Sequence, residues 1–408
     1  MLKGNAIIAQ SGGPTAVINN SVCGVVQEWL RQGSAQGKIY AGVGGIKGIL
    51  AGNIIDLGQQ DEAKIAGLRH TPGAGIHSCR YKMQPTDQEK LLEICRKLDI
   101  RYFFYNGGND SMDTAHKTYE LAKASGYEMY VIGVPKTVDN DLPFTDHCPG
   151  YGSAAKYIAA TVRETGIDLE SVSTSNKVTV LEAMGRNAGW LTAAAALAKR
   201  DADDAPHLIY LPEVAFRKER FLADVESVYR RLGYVYVVVS EGIVNEAGEY
   251  FAAAENTDAF GHKQLSGAGE AVKVLIEKEV GVKARCNTLG TAQRSAAHFA
   301  SLCDAMEAYE AGVQAVKYAL AGESGVMVAI KRVSDNPYRT VFEPVVLSRV
   351  ANVEHMLLPE YINAEGNYVS DAFIKYARPL IEGEMPVPMK DGLPDYVRLD
   401  LSKGRVGL

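Results

Sequence analysis

The chain has 408 residues, 47% hydrophobic and 23% charged, with 43 Lys and Arg against 49 Asp and Glu for a formal net charge of −6. The acidic balance and the lack of any Lys/Arg run argue against nonspecific nucleic-acid binding, so an anion site must gather its positive charge locally. A chain of this length can bury a sizeable core, as two or three domain-sized units or one large α/β unit split across a cleft.

Ala6–Ala9 is the first strand-like run. It leads into Ser11-Gly12-Gly13-Pro14-Thr15 and then an apolar helical stretch from Val17. Glycines let the backbone turn sharply and approach a ligand, and the following helix offers free N–H groups to an anion. The same residues also serve as a plain structural turn. A helical pattern over Asp87–Leu98 precedes a second strand, Arg101–Tyr105, which ends in Asn106-Gly107-Gly108-Asn109-Asp110-Ser111. Ser111 or Asp110 could cap the helix expected over Asp113–Ala124. Capping leaves the two glycines, the amide and the carboxylate unexplained. Gly107 and Gly108 permit close approach to phosphate, and Asp110 suits a hard cation.

The third strand, Tyr130–Val134, is apolar and β-branched, as a buried parallel strand should be. It is followed at once by Pro135-Lys136-Thr137-Val138-Asp139-Asn140-Asp141. Open α/β sheets place their ligands at such strand ends. A lysine, a hydroxyl and two carboxylates in this stretch can hold a phosphate and a metal and still leave a base for a hydroxyl proton.

A helix over Gly152–Thr165 and a strand over Val178–Leu181 lead to Glu182-Ala183-Met184-Gly185-Arg186-Asn187-Ala188-Gly189-Trp190. Small residues there would admit a substrate to the backbone and Arg186 could grip a phosphate, although Met184 also suits a core. Leu208–Leu211, a helix over Ala215–Leu232, and Val235–Val239 follow, the last ending in Ser240-Glu241-Gly242. Arg285 to Arg294 carries two arginines, and Gly325–Ile330 is the last strand expected. Alternation of strand and helix implies a mostly parallel, doubly wound sheet of the α/β class. From about Glu343 the chain is irregular and proline-punctuated, and is expected to wrap the surface or a neighbour.

There is no GxxxxGK[ST], HExxH, GxSxG or kinase HRD/DFG set. His147 beside Cys148 reads as packing rather than zinc binding. Cysteines 23, 79, 95, 148, 286 and 303 form no CxxC pair and are expected as reduced, mostly packed thiols. No segment approaches a membrane span, and Met1 leads directly to a strand without a basic n-region or long h-region, so a cytoplasmic protein is expected.

In order, Ser11-Gly12-Gly13, His77-Ser78-Cys79-Arg80, Gly107-Gly108-Asn109-Asp110-Ser111, Pro135–Asp141, Met184-Gly185-Arg186 and Arg285…Arg294 resemble the phosphofructokinase family over roughly residues 4 to 335. The resemblance implies two Rossmann-like doubly wound domains with the active site in the cleft between them. Residues 1–148 and 294–343 would form the phosphoryl-donor domain. Residues 149–293 and 344–408 would form the sugar-phosphate domain with its C-terminal extension. By analogy, Asp139 takes the proton from the C1 hydroxyl of fructose 6-phosphate, while Thr137 and Asp141 help hold the phosphoryl group and the sugar. Arg186 lies near the transferred phosphoryl, Met184 and Gly185 line the sugar site, and Glu241 binds sugar hydroxyls. Arg294 and Arg285 would hold the 6-phosphate. Lys177 falls where the family often has an arginine, and Arg285 at a position often supplied by the neighbouring subunit. A homo-oligomer, dimer or tetramer, with shared sites is therefore implied. Gly12, Gly13 and Arg80 belong to the matching substrate-binding motifs.

Two departures concern the donor. ATP-using relatives typically have glycine where this chain has Asp110 and Lys136, and the pair resembles the pyrophosphate-using branch. Asp110 adds bulk and negative charge where an α-phosphate would pass, and Lys136 adds a cation suited to short, highly charged pyrophosphate. Pro14, where many ATP enzymes have Asp, points the same way. Asn109 stands where most relatives carry an Mg2+-binding Asp, so Asn109 and Asp110 are the expected metal ligands. Cys23 and Gln27 replace effector-binding arginines, so nucleotide control is expected to be weak or absent. The resemblance also leaves open an ATP-using enzyme, an acceptor such as sedoheptulose 7-phosphate, and a non-catalytic sugar-phosphate binder.

Overall fold

The computed structural model describes residues 2–257, 263–265 and 267–407. The chain divides into two compact units, Met1–Ser153 with Arg294–Glu354 and Gly383–Leu408, and Ala154–Gln293 with His355–Glu382.

The first unit opens with β1 (Asn5–Ser11), β2 (Ile39–Gly42), β3 (Ile54–Asp56), β4 (Ser78–Cys79), β5 (Ile100–Gly107) and β6 (Tyr130–Pro135). The chain then passes through the second unit as β7 (Val178–Ala183), β8 (Leu208–Tyr210), β9 (Val235–Ser240), β10 (Ala253–Thr257), β11 (Lys263–Leu265) and β12 (Ala284–Thr288). It returns to the first unit as β13 (Val326–Asp335) and β14 (Tyr338–Val346).

The first sheet has the order β14-β13-β6-β5-β1-β2-β3, with β4 paired to the end of β1. Its inner pairings are parallel, whereas β3 on β2 and β14 on β13 are antiparallel edges. Strand order reverses at β1, which has β2 on one side and β5 on the other, so ligand chemistry is expected beyond the carboxyl ends of these strands. Both faces are covered. Phe103 and Tyr105 of β5 enter one cluster with Leu91 and Met112, and Tyr102 and Phe104 enter another with Val22, Val26 and Ala315. That alternation makes the strand a continuous apolar run in the sequence.

The helices Ile18–Glu28 and Leu302–Ala321 pack with almost no separation. A Cβ on Gly24 would stand 2.1 Å from the Tyr309 carbonyl oxygen, and one on Gly312 would stand 2.1 Å from that of Ser21. On the same helix, Ile18–Glu28, Cys23 is fully buried with its Sγ donating to Ile65 O at 3.0 Å, and Gln27 accepts from Tyr309 at 2.9 Å.

In the second unit the parallel sheet runs β12-β7-β9-β8, and β10 pairs antiparallel with β11. Its core joins Val178, Val180, Val235, Val237 and Val239 to Tyr210, Phe216 and Phe221. No helix among the described residues is long and apolar enough to cross a membrane.

Several boundaries differ from the sequence expectation. The helix expected from Asp113 begins at Asn109, with Gly108 at the N-cap and no side-chain capping bond, so neither Ser111 nor Asp110 caps it. Strand β14 was hidden by its half-exposed, alternating pattern and by Pro344, which an edge strand tolerates. The expected assignment of all of 344–408 to the second domain is corrected. Residues 344–354 and 383–408 pack with the first unit, because β14 pairs with β13 and the chain end returns to β3, where Val406 N donates to Ile54 O at 3.0 Å. Residues 149–153 belong there too.

Candidate active site

In the first unit the ends of β1, β5 and β6 lie side by side, which brings three separated sequence motifs to one sheet edge. After β1 the chain turns at Gly12, whose φ of +78° lies in the left-handed region, where a side chain would be strained. Gly12 N donates to Cys79 O at 2.9 Å and Ser78 Oγ donates to Gly12 O at 2.7 Å, so β4 fixes this loop and delivers Arg80 beside it. A Cβ on Gly13 would stand 2.6 Å from Arg294 Nη1 and 3.8 Å from Arg80 Nη2.

Lys136 leaves the end of β6 with its N–H on Gly107 O at 3.0 Å. Its side chain runs beneath the glycine loop, where Nζ donates to Ser11 O at 2.8 Å and Gly13 O at 2.6 Å. It is 2% exposed. Burial pushes the ammonium down to about 7; Asp139 opposes the shift, and Arg294 and Arg80 reinforce it. Burial and then Arg80 likewise hold Arg294 below its ordinary value. Two arginines and a lysine whose charge they oppose thus crowd around Gly12 and Gly13, an arrangement that a compact polyanion would relieve.

Asp139 follows one turn later, with its N–H on Thr137 Oγ1 at 3.1 Å. Asn140 takes a φ of +57°, and its Oδ1 accepts Cys148 N at 2.8 Å. Burial, followed by the charges of Asp139 and Glu354, raises Asp141 well above the usual carboxylate range. Asp141 Oδ2 accepts from Asn109 Nδ2 at 3.2 Å. Asp141 Oδ1 and Asn109 Oδ1 are both buried without a hydrogen-bond partner. Two orphaned hard oxygens on linked side chains suit a divalent cation. Asp110 stands half-buried in the first turn of the helix Asn109–Ala124. Among the described residues no group of three or more His, Cys, Asp or Glu could hold a metal unaided. Gly107 has a packing reason as well, since a Cβ there would meet Ser111 Oγ at 1.9 Å.

In the second unit the ends of β7 and β9 are neighbours and gather Met184, Gly185, Arg186 and Glu241. Gly185 has a φ of +141°, and its N–H reaches Glu241 Oε1 at 3.4 Å. A Cβ on Gly242 would stand 1.8 Å from Arg186 O, so the two loop ends touch through backbone. Met184 N donates to Gln293 Oε1 at 3.1 Å, a contact the sequence did not signal. Glu354 was equally hidden, in a tail without recognisable pattern.

Two of the expected substrate-binding residues stand apart from these loops within the second unit. Lys177 precedes β7, about 23 Å of strand from Met184 at about 3.3 Å per residue, and its Nζ donates to Ser173 O at 2.7 Å. Arg285 is near the same end of the sheet, paired with Thr179 at the start of β12. The structure therefore gathers Lys177 and Arg285 away from the Met184–Glu241 loops. Arg294 belongs to the first unit with Gly13 and Arg80, whereas Arg285 belongs to the second.

Residues 5–319 match the family profile described as Phosphofructokinase. The pyrophosphate–fructose 6-phosphate 1-phosphotransferase of Halomonas elongata is 45% identical over 98% of this chain and 97% of its own. The crystal structure of a pyrophosphate-dependent phosphofructokinase from Nitrosospira multiformis superposes with a TM-score of 0.90 at 45% identity, over 97% of this chain and 96% of that one. Its counterpart from Marinobacter aquaeolei gives 0.91 at 43% identity, over 99% and 98%. With the strand-end loops, the doubly wound sheets and the profile in agreement, the chain belongs to the phosphofructokinase family.

Proposed function

We propose that the protein transfers a phosphoryl group reversibly from pyrophosphate to the C1 hydroxyl of fructose 6-phosphate. The observation that carries this reading is Lys136, buried beneath the glycine loop and surrounded by Arg80, Arg294 and Asp139. A buried lysine beside two arginines is stabilised by a short anion that brings several negative charges to one place. Pyrophosphate does so. A nucleotide would also have to pass the Asp110 carboxylate.

Asp139 accepts the C1 hydroxyl proton as the oxygen attacks phosphorus. The new C1–O–P bond forms while the bridging P–O bond breaks and inorganic phosphate leaves. Arg80 and Arg294 neutralise charge on the moving phosphoryl, and Thr137 and Asp141 help orient it. We reassign Arg294 to this group, because Gly13, Arg80 and Asp139 are its neighbours. Arg186, Met184, Gly185 and Glu241 are assigned to the sugar end. Asn109 and Asp141, with Asp110 in the adjoining turn, would hold Mg2+. That ion would draw negative charge from the donor phosphates. Cys23, fully buried with its Sγ donating to Ile65 O at 3.0 Å, offers no surface to a nucleotide effector.

Initial rates with fructose 6-phosphate, Mg2+ and either pyrophosphate or ATP test the reading. Turnover is expected with pyrophosphate at least about 100-fold faster than with ATP, on the order of what one or two charge contacts discriminate. Turnover with ATP and none with pyrophosphate would refute it.

A further inference from the structure

Behind the segment that carries Asp139 lies a buried charge cluster with no place in the chemistry above. His147 is 2% exposed, and each ring nitrogen meets a carboxylate. Nδ1 stands 2.8 Å from Asp146 Oδ2, and Nε2 stands 2.6 Å from Glu307 Oε2 on the helix Leu302–Ala321. Glu307 Oε1 also accepts from Tyr338 and Thr340 of β14, each at 2.9 Å, and Cys303 Sγ lies 3.7 Å from Oε2. Arg332 of β13 donates to Asp146 Oδ2 at 2.9 Å. Asp304, next to Cys303, accepts Gly150 N at 2.8 Å and Ser153 N at 2.9 Å.

A neutral imidazole could donate to only one of these carboxylates and would turn a lone pair toward the other. Both contacts are satisfied by the imidazolium. Burial alone would lower its pKa, but Glu307 and Asp146 outweigh burial and raise it to about 10. The same cation holds Asp146 and Glu307 below the usual carboxylate range against the opposing effect of burial.

The residues after His147 grip the catalytic segment on both sides of Asp139. Cys148 N donates to Asn140 Oδ1 at 2.8 Å, and Thr137 N donates to Pro149 O at 3.2 Å, with Thr137 bridged to Gly150. We propose that protonated His147 is a positioning residue for phosphoryl transfer. Clamped between Asp146 and Glu307, it fixes Cys148–Gly150 and, through Thr137 and Asn140, the attitude of Asp139. The inference rests on the function proposed above. It commits the clamp to act on kcat, because the cations around Gly12 and Gly13 are held by other contacts.

The sign follows from the raised pKa. The clamp is complete at neutral pH and is lost as pH rises through about 10. In His147→Gln, kcat per folded enzyme should fall about 10- to 100-fold, the usual consequence of a small misplacement, with KM for both substrates within about threefold. In Glu307→Gln, which keeps the shape and removes one charge, the alkaline limb of kcat should move at least about one unit toward neutral. Side-chain nitrogen NMR of the parent protein at pH 8 should show both ring nitrogens of His147 protonated. A neutral His147 at that pH, or an unmoved alkaline limb in Glu307→Gln, would overturn the proposal. So would a kcat per folded His147→Gln enzyme within twofold of the parent. Absence of pyrophosphate turnover in the parent would instead strike the functional reading, while the NMR result would still decide the clamp.

Discussion

Lys136 links donor recognition to proton balance. Its ammonium is pushed down to about 7 by burial, so at pH 8 the free protein holds this side chain largely neutral. An unfolded lysine keeps its proton to an ordinary pKa of about 10.4. Between these values the unfolded state binds more protons, and this residue's contribution to stability therefore rises with pH across that window. Bound pyrophosphate restores the charge. Calorimetry at pH 8 in buffers of different ionisation enthalpy should accordingly detect uptake of a fraction of a proton up to about one per pyrophosphate. Lys136→Met should remove that uptake and weaken binding at least about tenfold, the typical order for a lost charge-assisted contact. Equal uptake by the variant would detach the proton from Lys136. The residue types at this site were legible in the sequence because strand ends, glycines and charges coincide there. The interactions between them were less so. Nothing in the order of residues said that Nζ of Lys136 would bond Ser11 and Gly13, or that Arg294 would stand over Gly13, since both are long-range contacts.

At the scale of elements, the parallel strands were the readable part. β1, β5, β6, β7 and β9 are buried on both faces and appear as apolar runs, and their carboxyl ends carry the glycine, Pro135–Asp141, Met184–Arg186 and Glu241 motifs, whereas Arg80 follows the short β4 and Arg285 lies on β12. The edge strands β3 and β14, and the four-residue β2 beside β3, are short or half-exposed and lack that signature. The close contact of the helices Ile18–Glu28 and Leu302–Ala321 was also unreadable, because a glycine inside a helix does not announce its neighbour. The structure supplies the reason for Gly24 and Gly312: each faces a backbone carbonyl at a distance no Cβ tolerates. Alanine at either position gains up to about 1 kcal/mol in helix propensity but forces the helices apart, at a cost of about 1–3 kcal/mol. Gly312→Val should combine the steric cost with poor propensity and lower the unfolding midpoint more than Gly312→Ala. An unchanged midpoint in both would show that the helices can separate without penalty.

At the scale of the whole molecule, Lys177 and Arg285 are the residues that one chain leaves unexplained. They sit near one another at the amino ends of β7 and β12, away from the Met184–Glu241 loops. A homo-oligomer in which each copy lends these cations to the sugar phosphate of its partner would account for them. Asp139→Ala and Arg285→Ala proteins, each inactive alone, should then regain activity when unfolded together and reassembled. A random dimer mixture would reach about one quarter of the parent, because half the dimers carry one intact site of two. No recovery from a mixture shown to contain hybrids would place Arg285 in its own chain's site. The family fold was legible across most of the chain, and the division of the tail was not, because its prolines and short elements have no period that says which sheet they join. The central claim is that pyrophosphate itself occupies the cradle of Lys136, Arg80 and Arg294, and the reverse reaction tests it most directly. Fructose 1,6-bisphosphate and inorganic phosphate, with Mg2+ and no nucleotide, should yield fructose 6-phosphate and pyrophosphate in equal amounts. Absence of pyrophosphate while the same preparation phosphorylates fructose 6-phosphate from ATP would contradict the account.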